Sequence, residues 1–244
     1  MPVKEEQLRT AMLIGESGLE KLRNARVAVF GIGGVGSFVA EALARAGVGA
    51  LDLFDNDTVS ASNINRQLIA LRSTVGHAKV DVMRDRIYDI NPDCVVNTYR
   101  VFYLPENADQ FPLSQYDYIA DAIDTVSAKI TLAERALSAG VPLIASMGTG
   151  NKLDPTRLCV TDISKTEGCP LARVMRRELR ARGISHLKVV YSSEPAHPLA
   201  ADAPPIDTDG QRRLPPASIS FVPSAAGLMM ASEIVNALIT PSLS

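Results

Sequence analysis

The chain has 244 residues, of which 46% are hydrophobic and 21% charged, with a formal net charge of −2. Length and apolar content suit one sizeable α/β domain, or at a stretch two small ones, with a full core. The charge excludes a protein that is basic overall and leaves only a local basic patch for any polyanion. Three widely spaced cysteines, Cys94, Cys159 and Cys169, form no CxxC pair. They therefore build neither a disulfide framework nor a four-cysteine structural zinc site within one chain, and the pattern fits a reducing cytoplasm. The opening MPVKEEQLRT has no apolar run of the kind a signal peptide carries. No segment reaches the roughly 20 apolar residues that cross a bilayer. The nearest, AAGLMMASEIVNALI at 225–239, is short and contains Glu233, so no membrane partner is expected.

Residues 11–24 read as a helix leading into the strand RVAVFG. A helix at 34–47, the strand ALDLFD, a helix at 77–91, the strands CVVNTYRV and YDYIADAI, a helix at 127–139 and the strand PLIASM follow. Alternation of this kind predicts a Rossmann-like α/β fold, a mainly parallel sheet with helices on both faces. Strands at 157–163, 187–192 and 218–222, around a helix at 170–182, are expected to extend the sheet with antiparallel strands in the C-terminal part. A last helix is expected at 224–239. Residues 195–217 are rich in Pro, Ala and Asp without apolar period. They read as a mobile loop within one domain spanning 1–244 rather than as a linker.

In VAVFGIGGVG, Gly31, Gly33 and Gly36 fit GxGxxG between a strand and a helix, with Gly34 in the same turn. Such glycines allow a tight turn and close backbone approach, and the helix N-terminus offers free N–H groups to phosphate. Asp55 ends the next strand, where an acid accepts from ribose hydroxyls. That much would serve NAD, and an NAD-dependent oxidoreductase is one reading. DNDTVSASNINRQ and GHAKVD add Asp57, Asn63, Arg66 and Lys79. Two cations and an amide beside the cradle suit a triphosphate, ATP, better. Lys79 falls in the first turn of its helix, just off the apolar stripe of Val80, Met83, Ile87 and Ile90. There it opposes the helix dipole, which favours a phosphate ligand over a solvated lysine. In DAIDT, Asp121 lies inside the strand and reads as structural. Asp124 falls just past it, as a Mg²⁺ ligand or as the N-cap of the following helix.

Together, GIGGVG, the acids at 55 and 57, SNINRQ, GHAK and DAIDT resemble, in order and spacing, the adenylating superfamily of ThiF, MoeB and the ubiquitin-activating enzymes. GVGSFVAEALARAGVG, INRQ, DAIDTVSAK, NKLDPT and CPLARVMRRELRARGI narrow the likeness to the tRNA threonylcarbamoyladenosine dehydratases within it. The absence of paired CxxC motifs separates the chain from relatives with structural zinc. The resemblance implies a homodimer. It also implies Asp55 on the ribose, Arg66 and Lys79 on the phosphates, Asp124 near Mg²⁺, and Arg9 as a finger reaching the partner subunit's site. Arg9 reads equally well as a surface arginine.

The implied reaction activates the threonyl carboxylate of threonylcarbamoyladenosine in tRNA as an adenylate and closes a ring with loss of water. Adenylation of the C-terminus of a ubiquitin-like sulfur carrier would use the same motifs, and a nucleotide-sensing protein without catalysis is a third possibility. Cys169 is a rival nucleophile, but ring closure needs no thiolate, and a packed helix start fits its place before Pro170. Arg173, Arg176, Arg177 and Arg180 share one helical face, which reads as a phosphate track or, with Glu178 nearby, as a solvated basic face.

Overall fold

The structure, a computed structural model, describes residues 3–203 and 216–240. Most of the predicted loop, residues 204–215, lies outside the described residues. The chain runs α1 (Leu8–Asn24), β1 (Arg26–Phe30), α2 (Gly36–Ala46), β2 (Ala50–Phe54), α3 (Lys79–Ile90) and β3 (Val95–Tyr99). It continues through β4 (Tyr118–Asp121), α4 (Val126–Ser138), β5 (Leu143–Ser146), β6 (Leu158–Asp162), α5 (Pro170–Ala181), β7 (Lys188–Ser192) and α6 (Phe221–Ile239).

Seven strands form one sheet in the order β3-β2-β1-β4-β5-β7-β6. All neighbours are parallel except β6, which runs antiparallel to β7 at the edge. The alternating apolar runs thus made the predicted Rossmann-like sheet. β1 and β4 are adjacent although far apart in sequence, so the connections reverse direction between them, and a ligand crevice opens outside the carboxyl ends of these two strands.

Two cores sandwich the sheet. On one face α2, α3 and α6 bury Val39, Leu43, Met83, Ile87, Val222 and Met230 against Val27, Val29, Leu51 and Leu53. On the other, α4 and α5 bury Leu132, Met175 and Leu179 against Ala28, Phe30, Ile119 and Val189. Asp52 is fully buried in β2 but well satisfied, accepting from Arg26, Asn97, Tyr99 and Tyr116.

Residues 218–222 are not a strand. ISFV has strand-like composition, but Phe221 and Val222 open α6, and Pro223 sits in its first turn, where no intrahelical N–H is needed. By length and hydropathy α6 meets the requirements of a membrane span. Instead it lies in the core, with Val222, Ala226, Met230 and Ile234 fully buried. α1 starts earlier than expected and is broken at Gly15, whose φ of 75° leaves the helical region. The segment after the break buries Leu19 and Leu22, whereas the segment before it exposes Leu8, Met12 and Leu13.

Candidate active site

The cradle forms where β1 turns into α2. Gly31 has φ 87°, and a Cβ there would come within 2.7 Å of the Ala122 carbonyl oxygen, just past β4. A Cβ on Gly36 would lie 1.7 Å from the Gly31 oxygen. Only glycine fits at these two positions, so the turns after β1 and β4 touch backbone to backbone. Gly33 differs: its nearest neighbour would be Gln67 Nε2 at 3.7 Å, which leaves that backbone approachable from outside. Gly34 leans on Pro223 of α6 and on the Arg66 stem. The N–H groups of Gly33, Gly34 and Val35 take no partner among the described residues, so the opening of α2 presents unpaired donors suited to an anion. Ser37 Oγ donates to the Gly33 oxygen at 2.6 Å and fixes the turn.

Asp55 sits directly beyond β2. Its Oδ2 accepts from the Ile32 N–H at 2.7 Å and its Oδ1 from the Asp57 N–H at 2.8 Å. Each oxygen keeps a lone pair for a ribose hydroxyl. Burial lifts the carboxyl above its ordinary pKa, opposed by Lys79 and the two N–H groups. Residues 57–59 pair with 76–79: Val59 N–H donates to the His77 oxygen and Lys79 N–H to the Asp57 oxygen. This ladder brings Lys79 Nζ to 2.7 Å from Asp57 Oδ2. Lys79 is buried, 5% exposed, while the Asp57 carboxylate is open to solvent. The first-turn lysine is therefore not a solvated one; an acid within the cradle holds it.

Arg66 is half-buried, and its Nη1 donates to the Ser62 oxygen and to Asn65 Oδ1. Asn63 Oδ1 caps the same turn by accepting from the Ser60 N–H at 3.1 Å. Asp124 is exposed at the end of β4 and touches only the Thr125 hydroxyl, at 3.4 Å. The N-cap position of α4 belongs to Thr125, not Asp124, so the Asp124 carboxylate stays free. Among the described residues no three His, Cys, Asp or Glu side chains gather to hold a metal. A Mg²⁺ at Asp124 would need phosphate oxygens to complete its shell, the usual arrangement for that ion. Arg9 is exposed in the first turn of α1. Cys169 is buried at the start of α5, its Sγ accepting from the Ala172 N–H at 3.5 Å, which is a packed helix cap and not an open nucleophile.

Gln67 and Lys129 add two features that the sequence motifs do not single out, the second beside the Asp121 expected to be structural. Gln67 is buried, and its Oε1 has no hydrogen-bond partner among the described residues. An unpaired buried acceptor beside Gly33 is open to a donor from a ligand or a bound water. Its signal was present in SNINRQ, one position after Arg66. Beneath the site, Asp121 and Lys129 lie 2.8 Å apart with both side chains shut off from solvent. They are not aligned for a hydrogen bond, and neither Asp121 Oδ2 nor Lys129 Nζ has another partner among the described residues. Burial raises the pKa of Asp121, and Lys129 opposes that rise.

The chain matches known proteins over nearly its whole length. The ThiF family pattern covers residues 5–243. The chain belongs to the ThiF family. Within it, the chain is 47% identical over 237 residues to the tRNA threonylcarbamoyladenosine dehydratase of Bacillus subtilis, spanning 95% of this chain and 93% of that relative. The fold superposes on the crystal structure of the Escherichia coli tRNA N6-threonylcarbamoyladenosine dehydratase with AMP at TM-score 0.86 and 34% identity, covering 98% of this chain and 97% of that one. The same E. coli enzyme in complex with ATP gives TM-score 0.85, with the same identity and coverage. Membership in the ThiF family disposes of the NAD reading.

Proposed function

We propose that this chain is an ATP-dependent tRNA threonylcarbamoyladenosine dehydratase, built as one adenylating domain over residues 1–244. The observation that carries the reading is the cradle between β1 and β4: unpaired N–H groups on an open glycine turn, faced by Asp55, Arg66, Lys79 and Asp124. Relatives that match along the whole chain bear that name.

The threonyl carboxylate attacks the α-phosphorus of ATP, and pyrophosphate leaves. The resulting mixed anhydride with AMP is then closed upon by the ureido group of the same nucleoside, and AMP departs with the carboxylate oxygen. One water is lost from the nucleoside overall. The N–H groups of Gly33, Gly34 and Val35 hold phosphate oxygens, Asp55 the ribose, and Asn63 and Arg66 the flank of the turn. Lys79, released in part from Asp57, balances charge on the leaving group. Mg²⁺ bound at Asp124 would supply further charge neutralisation on the phosphates. The nucleophile resides in the substrate, so the protein contributes position and electrostatics rather than a covalent group.

The exposed Leu8, Met12 and Leu13 before the Gly15 break support a homodimer through this segment, with Arg9 reaching the partner's site. Three free cysteines support a reducing, cytoplasmic setting. The test is mass spectrometry of tRNA nucleosides after incubation with ATP and Mg²⁺. Threonylcarbamoyladenosine should lose one water; an unchanged nucleoside, with pyrophosphate exchange elicited instead by a small Gly-Gly-ended protein, would favour the sulfur-carrier reading.

A further inference from the structure

Helix α5 starts at the sheet edge that holds the cradle. A Cβ on Gly148, just past β5, would lie 3.7 Å from Cys169 Sγ, and Cys169 is the N-cap of α5. The helix leads away from that edge for about 18 Å at 1.5 Å per residue. Its inner face is Ala172, Met175 and Leu179, all buried. Arg173, Arg177 and Arg180 are exposed on the outer face, one helical turn apart. Residues 165–188 contain seven of the chain's 25 Lys and Arg but only two of its 27 Asp and Glu.

The arginines of α5 divide by what already holds them. Arg176 turns inward: its Nη1 donates to the Ile163 oxygen, the Thr166 oxygen and Thr166 Oγ1, pinning the helix to the preceding turn. Arg182 is engaged by Glu178 and Glu134. Arg177 pairs only with the neighbouring Glu178 on the surface, an interaction that solvent weakens. Arg173 and Arg180 have no acidic partner among the described residues. The expected four-arginine track is thus three arginines and a structural pin.

We propose that Arg173, Arg177 and Arg180 form a rail that docks the phosphate backbone of the tRNA stem while the modified nucleoside enters the edge where α5 begins. The inference rests on the dehydratase reading above. Guanidinium forks grip phosphate bidentately, and spacing along the helix suits successive phosphates more than a single anion. The concave surface here is lined by Arg173, Arg176, Arg177, Arg180 and Ala181 alone. It has no aromatic or aliphatic anchor of the kind that centres a protein–protein interface, which disfavours an acidic protein as the occupant.

The experiment measures binding of tRNA bearing threonylcarbamoyladenosine to the full chain across a KCl series, with dehydration of the same tRNA followed in parallel. Removing one arginine–phosphate pair lowers the slope of log affinity against log salt by about one. The triple variant Arg173→Ala, Arg177→Ala, Arg180→Ala should therefore have a slope shallower by about three, whereas Arg176→Lys should keep the parent slope. A triple variant with the parent's slope overturns the rail. A parent chain that never dehydrates the tRNA overturns the functional reading instead, so the two failures remain distinct.

Discussion

Two lysine–aspartate pairs flank the cradle and behave as opposites. Lys79, the first residue of α3, is buried, but its partner Asp57 in the loop after β2 faces solvent across 2.7 Å. Lys129 and Asp121 are 2.8 Å apart with neither side chain exposed, one in α4 and the other at the end of β4. The first pair can exchange partners, because an incoming phosphate can replace a carboxylate that water readily solvates. The second cannot, because separating two desolvated charges costs far more than any ligand at the edge would return. One pair is open enough to serve the proposed site; the other fastens α4 to the strand that precedes Asp124.

The largest effect should come from breaking the closed pair. Lys129→Met leaves Asp121 buried without its counter-charge and should lower stability by about 3–5 kcal/mol in urea unfolding. Adding Asp121→Asn, which retains the acceptor for the Ile123 N–H, should restore at least half of that loss. A single variant costing under about 1 kcal/mol would erase the contrast between the pairs. Next, Lys79→Ala should cut ATP–pyrophosphate exchange by about 100-fold or more, while stability changes by only about 1 kcal/mol because Asp57 is solvated. Asp124→Ala should do the same, and full exchange in both variants would remove these residues from the site.

The smallest effect concerns a third arrangement, Glu41 on α2, held by Arg86 of α3 at 2.7 and 2.9 Å and by Arg45. Burial pushes this carboxyl up, but the two arginines outweigh it and its pKa ends below the ordinary value. A depressed acid contributes stability above its unfolded pKa, near about 4.3 for Glu, and loses it as pH falls through the folded value. Glu41→Gln should therefore cost about 1 kcal/mol at pH 7 and progressively less below pH ~4. A difference that is flat with pH would mean that Glu41 acts by packing rather than charge.

Much of this was legible in the chain. The glycine spacing predicted the turn, and the alternating apolar runs predicted the parallel sheet, because both follow from local periodicity. What was not legible depended on distant partners. Nothing in DAIDTVSAK distinguishes Lys129 from a solvated helix lysine until α4 is laid over β4. Arg176 reads like its neighbours until the turn at 163–166 supplies three acceptors. The strand expected at 218–222 failed because β-branched and aromatic composition says little about a short apolar run, while the helix beyond it was free to extend back through Pro223. Gln67 was overlooked because an orphaned acceptor exists only in three dimensions.

The packing of α6 on the glycine turn has a consequence for the order in which the molecule is made. Pro223 touches the Gly34 position, and a Cβ on Gly227 would lie 2.4 Å from the Val35 oxygen, so the last helix closes directly on the opening of α2. A ribosome delivers the N-terminal end first. The glycine turn, complete in sequence by residue 36, has its supporting wall only after residue 227 has emerged. On the proposed reading nucleotide affinity requires the chain through residue 227, and a protein cut before it would keep the glycine turn, Asp55, Arg66 and Lys79 but not the wall that fixes the turn.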